Sequence, residues 1–176
     1  MAVFIPFMNR LIGKYGKKEL CSFGLAFAAA MNLLMYLMKF TPLIASPYAF
    51  LVLVLLSGAG QTFLVLEVWA LVMDVIDYHE LNTGRKEEGT CYSVVTFMRK
   101  IGQTLAGAGS SGFLGLIGYE VGENVVVQSD GVLQKLYTVT TLVPAVALFA
   151  AFILLKFCRE LNKEKVETMR KTLQNR

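Results

Sequence analysis

Apolar residues along this chain gather into long runs broken by short polar segments. Runs of about 20 residues are what a helix needs to cross the ~30 Å hydrocarbon core of a bilayer. The pattern predicts an all-α membrane protein with four full transmembrane helices, at about 20–40, 47–78, 88–119 and 133–157. Residues 1–13 are apolar but too few to cross, and read as the end of a helix whose beginning is missing. Asn9 and Arg10 close that stretch and no charged region precedes it, so it does not read as a signal peptide. Residues 14–19 read as a short basic loop, and 158–176 as a charged amphipathic tail. Thr41-Pro42 ends the first full span. Ser46-Pro47 opens the next, with Pro47 where its missing N–H costs nothing.

Composition agrees with the pattern. Apolar residues make up 55% of the chain and charged residues 17%, against about a quarter charged in soluble domains. Such a chain cannot cover its surface with polar groups and needs a hydrocarbon solvent, so membrane lipid is its first partner. The net charge of +4 is modest and concentrated at helix ends, which points to a membrane surface and not to nucleic acid. Cys21, Cys91 and Cys158 have no metal-ligand or redox spacing and read as free thiols.

The polar segments also vote on orientation. Arg10, Lys14, Lys17 and Lys18 surround the first, and Arg85 and Lys86 lie in the third, taken as His79 to Glu88. The segment from Thr41 to Ser46 is uncharged, and the one from Glu120 to Val132 carries Glu120, Glu123 and Asp130 with no basic residue. The tail is rich in lysine and arginine. By the positive-inside rule the first and third loops and the C-terminus are cytoplasmic.

The fourth helix holds the most chemistry. Ser93, Thr96, Lys100, Gln103, Gly107 and Ser110 recur at spacings of three and four and form one polar stripe. Lys100 lies about twelve residues into the helix, roughly 18 Å at 1.5 Å per residue. A lysine there costs at least ~2.5–3.5 kcal/mol unless it faces a partner or a wet cavity. A salt bridge that only locks helices together is the alternative to a functional role. Arg99 points about 100° away from Lys100 and reads as a packing or gate residue. Gly102, Ala106, Gly107, Ala108, Ser110, Ser111 and Gly112 would let a neighbouring helix approach closely.

The third helix supplies opposite charge. Gly60, Glu67 and Asp74 are seven apart and share a face, with Asp77 a turn beyond. Glu67 is a candidate partner for Lys100 or for a cation or proton; a carboxylate hydrogen-bonded between helices is as good a reading. Asp74 and Asp77 are expected to be solvated, or paired with Arg85 and Lys86. His79, the only histidine, is expected in solvent on the cytoplasmic side. Nothing indicates an enzyme: there is no phosphate-binding GxxxxGK[ST], no metal-ligand cluster and no GxSxG or HExxH motif. No cofactor is expected beyond a coupling ion.

The stretch from Asp74 to Gly107, DVIDYHELNTGRKEEGTCYSVVTFMRKIGQTLAG, resembles the signature of the glycoside–pentoside–hexuronide:cation symporters, the melibiose-permease branch of the major facilitator superfamily. Asp74, Asp77, Tyr78, Glu80, Thr83, Gly84, Tyr92, Ser93, Phe97, Lys100 and Gly102 carry the match. The basic residue after Gly84 falls one place early or late, depending on how Arg85 and Lys86 are aligned. RLIGKYGKK, from Arg10 to Lys18, resembles the superfamily's short basic loop between paired helices. Gly118-Tyr119 with Gln128 is similar to the last external loop, and Val166, Met169 and Leu173 mark the face of a cytoplasmic C-terminal helix.

The resemblance implies a sugar transported with sodium or a proton, by twelve helices in two six-helix halves around a central cavity. The helices here then correspond to the end of helix eight through helix twelve. The resemblance implies a cytoplasmic gate containing Asp74, Asp77, Tyr78, Glu80, Arg85 and Lys86, to which Arg10 and Arg99 are added. It places Lys100 near the solute and cation, with Thr96, Gln103, Glu67 and Gln61 as further candidates to line the cavity. Glu67 departs from the family, where an apolar or small residue is expected. The principal sugar- and cation-binding aspartates of the family belong to the other half, so the chain is expected to be inactive without that half or a split partner. Two other readings are a non-transporting membrane interaction protein and a lipid carrier of the same superfamily. The expected location is the inner or plasma membrane.

Overall fold

A computed structural model describes residues 11–41, 46–119, 128–157 and 163–174, apart from the side chains of Lys163, Arg170 and Gln174. Residues 1–10, including Arg10, and the acidic Glu120 and Glu123 lie outside the described residues, as does Cys158. Every described element is helical: α1 is Lys17–Leu37, α2 Pro47–Thr83, α3 Glu88–Ile117, α4 Asp130–Phe157 and α5 Lys163–Gln174, and a 3-10 turn, Met38–Phe40, ends α1.

The basic segment 14–19 is not a loop. Residues 11–15 are helical, and Gly16 alone interrupts the backbone at φ 90°. That left-handed conformation is open to glycine and costly for other residues. The chain turns there and restarts as a helix at Lys17, so Lys17 and Lys18 stand on the first turn of α1.

The second span also differs at its end. It runs five residues past Tyr78 to Thr83, and His79 is helical. The polar run His79-Glu80-Leu81-Asn82-Thr83 reads as a loop by hydropathy. Its side chains bond within the helix, however, Thr83 Oγ1 to the His79 carbonyl at 2.8 Å and Asn82 Nδ2 to the Tyr78 carbonyl at 3.0 Å. Gly84, at φ 71°, caps the helix and donates its N–H to the Glu80 carbonyl at 2.9 Å.

α1 is the centre of the molecule, with α2 packed on one side and α4 on the other. Leu20, Cys21, Leu25, Ala28, Ala29, Met35 and Met38 form most of the buried apolar core. The backbones of α1 and α2 touch at two glycines. A Cβ on Gly24 would lie 2.5 Å from the Gly60 carbonyl oxygen, and one on Gly60 would lie 2.7 Å from that of Gly24. Beyond this contact, Asn32 Nδ2 donates to Ser57 Oγ at 2.6 Å and Gln61 Nε2 to the same oxygen at 3.2 Å. Small residues and such polar links are what hold helices together in lipid, where no hydrophobic force acts between them.

α4 is tied to α1 at both ends. The Tyr137 hydroxyl donates to the Met35 carbonyl, and Lys39 Nζ to Thr138 Oγ1 at 3.0 Å. At the other end buried Lys18 reaches the Lys156 carbonyl at 3.5 Å, a favourable place for a cation because helix carbonyls there have no intrahelical partner. α5 lies against the end of α2, burying Met169.

Residues Lys17–Phe40, Pro47–Thr83 and Asp130–Phe157 are long and apolar enough to cross a membrane. α3, with 30 residues or about 45 Å, is long enough as well, but its polar stripe lowers its apolar content. By length and composition three described helices qualify as spans, and α3 is the fourth long helix.

Gly24→Ala is expected to force α1 and α2 apart and destabilise the fold by about 1–3 kcal/mol, read as unfolding in mixed detergent micelles. Gly58→Ala, where an added Cβ meets nothing within 4 Å, serves as the neutral control.

Candidate functional site

The start of α1 and the end region of α2 meet in one ion pair. Lys17 Nζ lies 2.9 Å from Asp74 Oδ1 and 3.0 Å from Oδ2, and also donates to the Ala70 carbonyl at 3.2 Å. The Asp74 side chain is 3% exposed and that of Lys17 20%. Such a buried carboxylate is tolerable only with a close counter-charge. Gly16 supplies it, because the break there aims Lys17 at α2.

Asp74 is therefore neither solvated nor paired with Arg85 or Lys86. Its partner lies 57 positions away in sequence, out of reach of local spacing arguments. The face shared by Gly60, Glu67 and Asp74 is turned toward α1: Gly60 touches Gly24, and Asp74 touches Lys17. Half-buried Glu67 does not pair with Lys100; Lys17 and Asp74 are the charges acting on it.

Around this pair lies a cavity of about 620 Å³ lined by Lys17, Ala70, Met73, Asp77, Glu80, Lys86 and Leu173. The structure thus brings Asp77, Glu80 and Lys86 together, with Lys17 as the member that the sequence reading left out. Lys86 pairs with Glu88 at 3.2 Å. That hydrogen bond and charge, with the further charges of Glu80 and Asp77, push the Lys86 ammonium above its ordinary range, so it carries its proton at physiological pH. His79 Nε2 lies 3.8 Å from Glu87. Tyr78 faces a second cavity, of about 450 Å³, with Leu81, Asn82 and residues of α5 including Met169. Arg85 is exposed, and its backbone exchanges hydrogen bonds with Thr83 Oγ1.

α3 stands apart. Ser93, Thr96, Lys100, Gln103, Gly107 and Ser110 are all exposed, and a Cβ at Gly102, Gly107, Gly109, Gly112 or Gly115 would meet nothing within 4 Å. Among the described residues no carboxylate lies within ion-pair distance of Lys100. Gln61 donates to Ser57 Oγ, the oxygen that Asn32 also reaches, and not to the stripe. Arg99 lies away from that charged cluster: its guanidinium carbon is 6.0 Å from the centre of the ring of Trp69, five residues before Asp74 on α2.

A helical membrane chain with a polar face deep in its span and a charged cluster at one end has the layout of a membrane carrier. The whole match of the family model for MFS/sugar transport proteins, over residues 1–162, agrees, and the chain belongs to that family of the major facilitator superfamily. An uncharacterised symporter of Bacillus subtilis (strain 168), YjmB, is 30% identical over 92% of this chain and 33% of its own length. A glucuronide carrier protein homolog of Escherichia coli (strain K12) is 31% identical over 86% of this chain and 32% of its own. A putative sulfoquinovose importer of the same organism is 30% identical over 86% and 31%. The chain spans about a third of the length of these relatives. No solved structure matches it significantly.

Lys17→Met is expected to destabilise the chain by about 3 kcal/mol, the low end for breaking a buried pair because Lys17 keeps some solvent contact. Unfolding in detergent measures this, and adding Asp74→Leu is expected to recover much of the loss, since the orphaned charge is then gone.

Proposed function

We propose that this chain is the C-terminal part of a symporter that moves a polyhydroxylated, sugar-like solute with sodium or a proton by alternating access. One observation carries the reading: α3 presents Ser93, Thr96, Lys100 and Gln103 on an uncovered face. A charged, hydrogen-bonding face in a bilayer needs a wet cavity or a polar partner, and a solute pathway supplies one. Lys100 and Gln103 are the groups suited to hydroxyls and to the coupling ion, with Thr96 beside them. The glucuronide and sulfoquinovose in the relatives' names suggest the solute class.

Alternating access needs two bundles around a shared site. A further six-helix half, in the same polypeptide or as a separate partner, would cover α3 and complete the cavity, and this chain alone would not transport. Lys17, Asp74, Asp77, Glu80 and Lys86 would then serve as the inner gate, since ion pairs at helix ends can be exchanged as bundles rock. The lysines and arginines at that end support a cytoplasmic orientation for it and for the C-terminus, with the protein in an inner or plasma membrane.

In the completed transporter, Lys100→Ala is expected to abolish ion-driven uptake of radiolabelled sugar into membrane vesicles while membrane insertion persists. Normal coupled uptake in that variant removes Lys100 from the mechanism. Imposing sodium and proton gradients separately identifies the ion. A C-terminal alkaline phosphatase fusion is expected to be inactive and a C-terminal green fluorescent protein fusion bright, the reverse placing the C-terminus outside.

A further inference from the structure

One cluster belongs neither to the gate nor to the polar stripe. Arg99 and Tyr92 are seven residues apart on α3, on one face and two turns from each other, and both reach Trp69 of α2. The Arg99 guanidinium carbon lies 6.0 Å from the Trp69 ring centre. The Tyr92 ring lies 6.0 Å from it at a tilt of 36°, and the Tyr92 hydroxyl donates to Met73 Sδ at 3.1 Å. These contacts join α3 to α2, yet Trp69 remains 43% exposed.

We propose that Trp69, Arg99 and Tyr92 form a subsite for an acidic sugar, the indole receiving the ring and the guanidinium receiving a carboxylate or sulfonate. The inference rests on the transporter reading above and specifies its cargo. Trp69 lies five residues deeper than Asp74, about 7.5 Å along the helix. A guanidinium on an exposed helix face at this level calls for a polar or anionic partner beyond the indole face it rests on. Among the described residues no carboxylate comes within ion-pair distance of Arg99, and Asp74 is already held by Lys17.

The two groups suit one ligand. A pyranose ring has an apolar C–H face that lies against an aromatic surface, as other apolar bodies do. The planar guanidinium presents paired N–H groups that match two oxygens of a carboxylate or sulfonate, a geometry that an ammonium cannot reproduce. A neutral sugar would engage only the indole. Tyr92, fixed by Met73, holds the indole in place. A lipid phosphate offers the same oxyanion without the sugar ring, and the test separates the two.

Trp69 is the single tryptophan of the chain, so intrinsic fluorescence reports on this cluster alone. The purified chain is placed in nanodiscs of neutral phosphatidylcholine and titrated with glucuronate, a sugar sulfonate and methyl glucoside. Saturable emission changes with the two acids, at least about tenfold weaker with the neutral sugar, are expected. Arg99→Gln is expected to abolish the preference and Arg99→Lys to reduce it, with helical circular dichroism retained in both. Equal responses to acid and neutral sugars, or none, overturn the proposal on the wild-type chain alone, whether or not the variants fold. A response only when phosphatidylglycerol replaces part of the phosphatidylcholine also overturns it, in favour of a headgroup contact. Uptake by the completed transporter keeps the two readings apart. Neutral-sugar uptake with no acid response at Trp69 sinks the subsite alone, and an acid response with no uptake of any sugar upholds the subsite against the transport reading.

Discussion

Two helix backbones meet at Gly24 and Gly60 with no side chain between them, and the arrangement of the bundle follows from that contact. In lipid, apolar side chains gain little by leaving the solvent for each other, so close backbone approach and polar links do the holding. The glycine contact sets the separation of α1 and α2, and the hydrogen bond from Asn32 to Ser57 fixes their register. With α1 fixed, α4 follows through Tyr137 and Lys39 at one end and Lys18 at the other.

The same contact determines where charge can sit. Once α1 and α2 are this close at Gly60, Asp74 two heptads later is necessarily turned toward the start of α1. It is buried there, and Lys17 answers it. α3 has no comparable contact with α1 and reaches α2 through long side chains, Arg99 and Tyr92 on Trp69. Among the described residues α1, α2 and α4 thus pack tightly, and α3 makes fewer contacts with them. This division matches the chemistry, since the exposed helix α3 carries the polar stripe from Ser93 to Ser110.

Much of this was legible from the residues. Pro47 after Ser46 marked the start of α2, and the three- and four-residue spacing from Ser93 to Ser110 marked the polar stripe. The shared face of Gly60, Glu67 and Asp74 was also legible, but not what it faces. The partner of Asp74 was missed because helix periodicity relates residues within a helix and is silent between helices. Lys17 looked like one lysine of a basic loop, and only the single-residue break at Gly16 turns it into a directed counter-charge. The end of α2 was placed early because hydropathy falls at His79, whereas helicity there is sustained by side chains bonding back to the preceding turn. Arg99 was grouped with the gate by its charge, although its position on α3 puts it beside Trp69.

The length of α2 has a mechanical side. Its 37 residues make a rod of about 55 Å, well beyond the ~30 Å core it has to cross. It is gripped near Gly60, leaving 23 residues, or roughly 35 Å, between that fulcrum and Thr83. A tilt of about 10° at the fulcrum would sweep the far end through roughly 6 Å, about one turn of helix. Small rotations near Gly60 would therefore be delivered to the Thr83 end of α2 as large strokes, with α5 riding on the moving end of the lever.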